Sequence, residues 1–79
     1  MHYKRIRELR KKKNLSQEAL GNAIGVSQRA YAYYETGARL ISPKTLSALA
    51  KFHGTSMEYL IELTDDPAPP ARRSPKDKS

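Results

Sequence analysis

LSQEALGNAIGVSQRAYAYYETG, from Leu15 to Gly37, holds two helix-sized runs separated only by Gly25, Val26 and Ser27. Ser16 and Ser27 each stand just ahead of a run, where a hydroxyl oxygen can accept a backbone N–H that the first helical turn leaves unpartnered. Glu18 suits the positive end of the first helix dipole. Gly25 can take the positive φ that a sharp reversal needs, and Gly37 suits the left-handed position after the second run. Two helices joined by so short a connection must cross steeply, which is the helix-turn-helix arrangement. Gly21 adds to this. Glycine inside a helix costs roughly 1 kcal/mol against alanine, so its presence calls for a close approach where the helices cross. Ala23, Ile24 and Val26 are expected beneath the turn.

The flanking sequence extends the same pattern, with apolar residues recurring at three and four rather than alternating. A first helix is expected over about Tyr3 to Lys13, with Ile6 and Leu9 inward and Asn14 at its end. In SPKT, from 42 to 45, Ser42 serves as cap and Pro43 as first helical residue, where its missing N–H costs nothing. That fourth helix should reach His53, with Gly54 breaking it. Ser56 then caps a short fifth helix with Met57, Leu60 and Ile61 inward. The fold class is therefore all-α, five helices and no strand, with the helix-turn-helix formed by the second and third.

Residues 1–63 form the expected domain. Positions 64–79, TDDPAPPARRSPKDKS, hold four of the five prolines and no large apolar residue, so they read as a flexible charged tail. A chain of 79 residues makes one small domain, with little room for an enclosed active site. It has no cysteine, which excludes disulfides and thiolate metal sites and favours a cytoplasmic location. No apolar stretch approaches the roughly 20 residues needed to cross a bilayer. The net charge is +7, and seven of the fifteen Lys and Arg residues lie between Lys4 and Lys13, a balance that favours polyanions, nucleic acid first. No Gly-rich phosphate loop, nucleophile–base pair or metal-ligand spacing is present, so no catalytic residue, cofactor or metal is expected.

The stretch from Leu15 to Gly37 resembles the helix-turn-helix of the Cro/CI-type (XRE) repressor family. The likeness continues without gaps from about Ile6 through LRKKKNLSQ, SPKTLSALAKF and SMEYL to Leu60. It implies a lambda-repressor-like DNA-binding domain, not an enzyme. It also assigns the three clustered tyrosines: Tyr31 and Tyr34 fall where the family places buried apolar residues, and Tyr33 falls on the outer face. Gln28, Arg29, Ala32 and Tyr33 are then the expected base contacts. Gln can bond adenine, and Arg guanine, at two points each, and a small Ala permits close approach or meets a thymine methyl. Gln17, beside the positive end of the second helix, matches the family's phosphate anchor, with Arg39, Ser42 and Lys44 as further phosphate contacts. Arg10 and Glu35 occupy positions that often form a partly buried ion pair between the first and third helices.

The implied function is a sequence-specific transcriptional regulator, a repressor of phage or mobile-element type, binding a palindromic double-stranded DNA operator as a homodimer. The expected pairing surface is the fourth-to-fifth helix region with Tyr59, Ile61 and Leu63. The alternative is an antitoxin-type autoregulator whose tail or helical surface binds a protein toxin. The cluster Lys11, Lys12 and Lys13 reads as a solvated helix end, with steering of phosphates as the alternative, His53 as a packing residue where the family usually has an aliphatic one, and His2 as a residue without an identifiable partner.

Overall fold

The computed structural model describes residues 3–69, so His2 and the tail from position 70 onward lie outside the described residues. Five helices follow in order: α1 Lys4–Lys12, α2 Gln17–Ile24, α3 Gln28–Thr36, α4 Pro43–His53 and α5 Met57–Leu60. No strand occurs among the described residues. The all-α, five-helix expectation matches this architecture.

Serines start four of the helices by one device. The hydroxyl oxygens of Ser16, Ser27, Ser42 and Ser56 accept from the backbone N–H of Ala19, Ala30, Thr45 and Tyr59, each three residues on, at 3.0 to 3.2 Å. α1 has no side-chain cap. Its start is held instead by the buried Tyr3, whose hydroxyl accepts the Ile41 N–H at 3.3 Å. Asn14, just past its end, takes φ 57°, a left-handed value that asparagine tolerates.

The turn between α2 and α3 depends on two glycines for different reasons. Gly25 adopts φ 81°, which a side chain would strain. Gly21 is buried, and a Cβ there would lie 2.9 Å from the Val26 carbonyl oxygen and 3.3 Å from that of Ser27. The missing side chain is what lets the turn fold down onto α2.

The core comprises Tyr3, Ile6, Leu20, Tyr31, Tyr34, Ile41, Leu49, Ala50 and Leu60. Leu9, Leu15, Ile24, Val26 and Leu46 pack around it. Two expected inward residues lie elsewhere. Ala23 is exposed, because the inward side of α2 runs through the buried Leu20 and Gly21 to the half-buried Ile24 and leaves Ala23 on the flank. Met57 is 38% exposed. A four-residue helix can offer few positions to the core; Leu60 takes the central one, and Met57 borders an apolar cavity beside Ala50, Lys51 and Thr55. No helix among the described residues is long and apolar enough to cross a membrane.

Candidate nucleic-acid interface

α3 presents two unlike sides. Tyr31, Tyr34 and Glu35 are buried, whereas Gln28, Arg29 and Tyr33 are exposed and Ala32 is half-buried between them. Arg29 and Tyr33, four residues apart, share one outward face, and Gln28 is exposed in the first turn. Tyr31 is held from behind, its hydroxyl donating to the Ile6 carbonyl at 3.4 Å. Burial pushes the Tyr31 hydroxyl pKa far up, so it stays a neutral donor.

A polar network ties this helix to α1. The Arg10 guanidinium meets the Glu35 carboxylate at two points, Nε to Oε2 at 2.6 Å and Nη2 to Oε1 at 3.1 Å. Its remaining arm donates to the Leu15 carbonyl at 2.8 Å. Both side chains are largely out of solvent, Arg10 at 13% and Glu35 at 4% exposure. Burial alone would raise the Glu35 pKa, but the hydrogen bonds it accepts, that from Arg10 foremost, hold it below the usual carboxylate range. The pair is a brace inside the domain rather than an outward-facing charge.

Gln17 belongs to the same network. Its amide Nε2 donates to Glu35 Oε1 at 3.2 Å, and the side chain is half-buried. An amide carries two N–H donors, so one remains for an anion at the start of α2. Arg7, Arg10, Gln17, Glu35 and Thr36 border a polar recess there.

The other expected phosphate contacts differ among themselves. Lys44 and Arg39 are exposed. Arg39 lies against the outer side of α3, its guanidinium carbon 5.3 Å from the Tyr33 ring centroid. Ser42 is exposed, but its hydroxyl accepts the Thr45 N–H and donates to Thr45 Oγ1 at 3.1 Å, which engages the proton a phosphate contact would use.

Lys11, Lys12 and Lys13 are exposed, and Lys13 Nζ sits 5.7 Å from the Phe52 ring centroid. His53 packs edge-on to Phe52 at 5.1 Å, with both ring nitrogens buried and unpartnered. Burial, and then the nearby Lys13 charge, lower its pKa to about 4. It is a neutral packing residue.

Two features escape a reading of the sequence. Leu40, in the loop after α3, is a large aliphatic side chain that is 71% exposed, next to the exposed Arg39. Arg5, read only as one cation of a cluster, ties α1 to α5 and to the chain just beyond it: it donates to the Tyr59 carbonyl at 2.8 Å, to the Thr64 carbonyl, and to Asp65 Oδ1 at 2.7 Å. Its guanidinium also lies 4.1 Å over the Tyr59 ring. Sequence-local patterns carry no signal for contacts between residues 54 to 60 positions apart.

With the turn, the buried tyrosines and the exposed α3 face placed, the comparison with known families is decisive: the model described as Helix-turn-helix matches residues 6–60. The chain belongs to the XRE helix-turn-helix family.

Individual members resemble it over most of its length. It is 36% identical over 73 residues to the uncharacterized HTH-type transcriptional regulator YobD of Bacillus subtilis, covering 92% of this chain and 65% of that protein. It is 38% identical over 61 residues to the cryptic phage CTXphi transcriptional repressor RstR of Vibrio cholerae, covering 77% of this chain and 55% of that protein. The HTH-type transcriptional regulator AnsR of Bacillus subtilis is also 38% identical over 61 residues, covering 77% and 53%. The chain thus spans between about half and two thirds of the length of these curated relatives. No solved structure gives a significant match.

Proposed function

We propose that this helix-turn-helix protein is a sequence-specific regulator of transcription, a repressor of phage type, and that it grips a two-fold symmetric operator as a homodimer. The observation that carries the reading is the division of α3: Tyr31 and Tyr34 anchor it while Gln28, Arg29 and Tyr33 are exposed on its outer side. A helix so mounted can lie in the major groove with its N-terminal residues at base edges. Gln28 and Arg29 then read adenine and guanine, Tyr33 and the small Ala32 contact the groove further along, and Gln17, Arg39, Ser42 and Lys44 position the domain on phosphates. Of these, Ser42 contributes least, given its engagement with Thr45.

The phage assignment draws support from RstR, whose name makes it a phage repressor. Pairing follows from size, since a single domain of this kind covers too few base pairs for useful specificity. Leu63 is 73% exposed and follows α5, so it suits a surface shared between two copies, with Ile61 beside it. Tyr59 contributes less to that surface, because Arg5 covers its ring. Leu63→Glu should convert a dimer to a monomer in light scattering, and an unchanged mass would move the interface elsewhere.

Selection of bound sites from a random duplex pool tests the whole reading. It should return inverted repeats whose halves lie about one helical turn, roughly 34 Å, apart. A pool returned without sequence enrichment, together with a steep fall of affinity with salt, would reduce the protein to a nonspecific polyanion binder.

A further inference from the structure

The loop after α3 is arranged around a single carbonyl. Gly37 takes φ 80°, and the N–H groups of Ala38 and Arg39 both turn back to the Tyr33 carbonyl oxygen, at 3.0 and 3.4 Å. The Thr36 hydroxyl donates to the same oxygen at 3.2 Å and accepts from the Ala38 N–H at 3.4 Å. Arg39 is thereby tied through its backbone to the residue whose ring its guanidinium covers, at 5.3 Å.

Both members of this cation–π contact are exposed, Tyr33 at 39%. Arg39 differs in this from the two arginines whose guanidiniums are paired with carboxylates, Arg10 with the buried Glu35 and Arg5 with the exposed Asp65. No carboxylate among the described residues pairs with Arg39, so its N–H edge is left for a ligand.

A phosphate contact needs only a positive charge within reach, which a flexible lysine supplies as well as arginine. A planar fork in cation–π contact with a ring is a different device: the ring restricts where the fork's N–H groups point, which matters for two-point recognition. Guanine offers that match through O6 and N7 in the major groove. Tyr33 follows Arg29 by one helical turn, about 6 Å along the axis, or roughly two base-pair steps.

We infer that Tyr33 and Arg39 act as one reading unit, in which the ring holds the guanidinium in the orientation needed to contact a guanine, at a position of the half-site beyond the one read by Arg29. This rests on the DNA-binding reading above and reassigns Arg39 from backbone positioning to base recognition. Tyr33 is then a positioning residue for Arg39 as well as a groove contact.

The test is site selection from a random duplex pool with the parent, Arg39→Lys, Tyr33→Leu and the double variant, followed by affinity measurements on the parent's preferred site with single base changes. Arg39→Lys keeps the charge and loses the planar fork. It should lower discrimination for guanine at one position by about tenfold while leaving the salt dependence as in the parent. Tyr33→Leu should relax the same position, and the double variant should lose less than the product of the two single losses, by about two- to fivefold, the worth of an exposed cation–π contact. All four melting temperatures should agree closely, since both side chains are on the surface. If the parent selects a site and Arg39→Lys keeps every base preference, the unit does not read bases and Arg39 is a phosphate contact. If the parent itself selects nothing, the underlying function fails first.

Discussion

The two sides of α3 share nine residues and obey different rules. On the inner side, Tyr31, Tyr34 and Glu35 are specified by what surrounds them: a carbonyl for the Tyr31 hydroxyl, a guanidinium for the Glu35 carboxylate, and apolar neighbours for the rings. On the outer side, Arg29 and Tyr33 are specified by nothing inside the domain except the Arg39 stack. Inner residues should therefore govern stability and outer ones recognition. Mutation can break or sharpen that separation.

The largest effect is expected at the brace. Glu35→Gln leaves the Arg10 guanidinium, only 13% exposed, without its counter-charge, and removal of one partner of such a pair costs about 3 kcal/mol. For a domain of this size that lowers the melting temperature by more than about 12 °C. Glu62→Gln removes a carboxylate that is 38% exposed and 4.0 Å from Lys4, and should change stability by less than about 0.5 kcal/mol. Equal melting temperatures for the two variants would reject the brace.

Next comes a dependence on pH that locates the cost on the buried side. Unfolded, His53 takes up a proton near its ordinary value of 6.5; folded, it does so only near 4. Its contribution to stability is therefore intact above pH 6.5 and declines as pH falls from 6.5 to 4, where only the unfolded chain binds the proton. With the ring half-buried, the decline should reach roughly 1–2 kcal/mol. Glu35 acts in a lower window: its folded pKa is depressed, so its share is present above the ordinary 4.5 and is lost as pH drops below that. Denaturant melts of His53→Leu should be flat between pH 6.5 and 4.5 and fall only below 4.5; a parent-like slope between 6.5 and 4.5 would show that the imidazole is not the group responsible.

A smaller effect separates neighbouring rings. Tyr31→Phe deletes the donor to the Ile6 carbonyl and should cost about 1 kcal/mol, whereas Tyr33→Phe should stay within about 0.5 kcal/mol. Parallel urea titrations check this. A larger loss at Tyr33 would contradict the assignment of faces.

The features legible in the sequence are those with short-range causes. Each serine cap acts on an N–H three residues on, the glycine turn follows from one positive φ, and the inner tyrosines are set three apart, so helix positions and the α2–α3 crossing follow from neighbours alone. Met57 and Ala23 went astray because periodicity gives a face but not how much of that face a neighbouring element covers. Gln17 was legible as a polar residue at a helix start, and its bond to Glu35, across 18 positions, was not. The Arg5 clamp and the Arg39 stack depend on where distant chain and a loop come to rest, which local patterns do not encode.

In the proposed function, the outward side of α3 reads DNA bases without helping to hold the domain together. This is tested most directly by the affinity of the parent and of Arg29→Ala for a selected site and for a scrambled duplex, at one fixed salt concentration, alongside their melting temperatures. Arg29→Ala should lower the ratio of the two affinities by about five- to hundredfold while melting within roughly 0.5 kcal/mol of the parent. An unchanged ratio, or a ratio lost only because the domain has unfolded, would contradict that role.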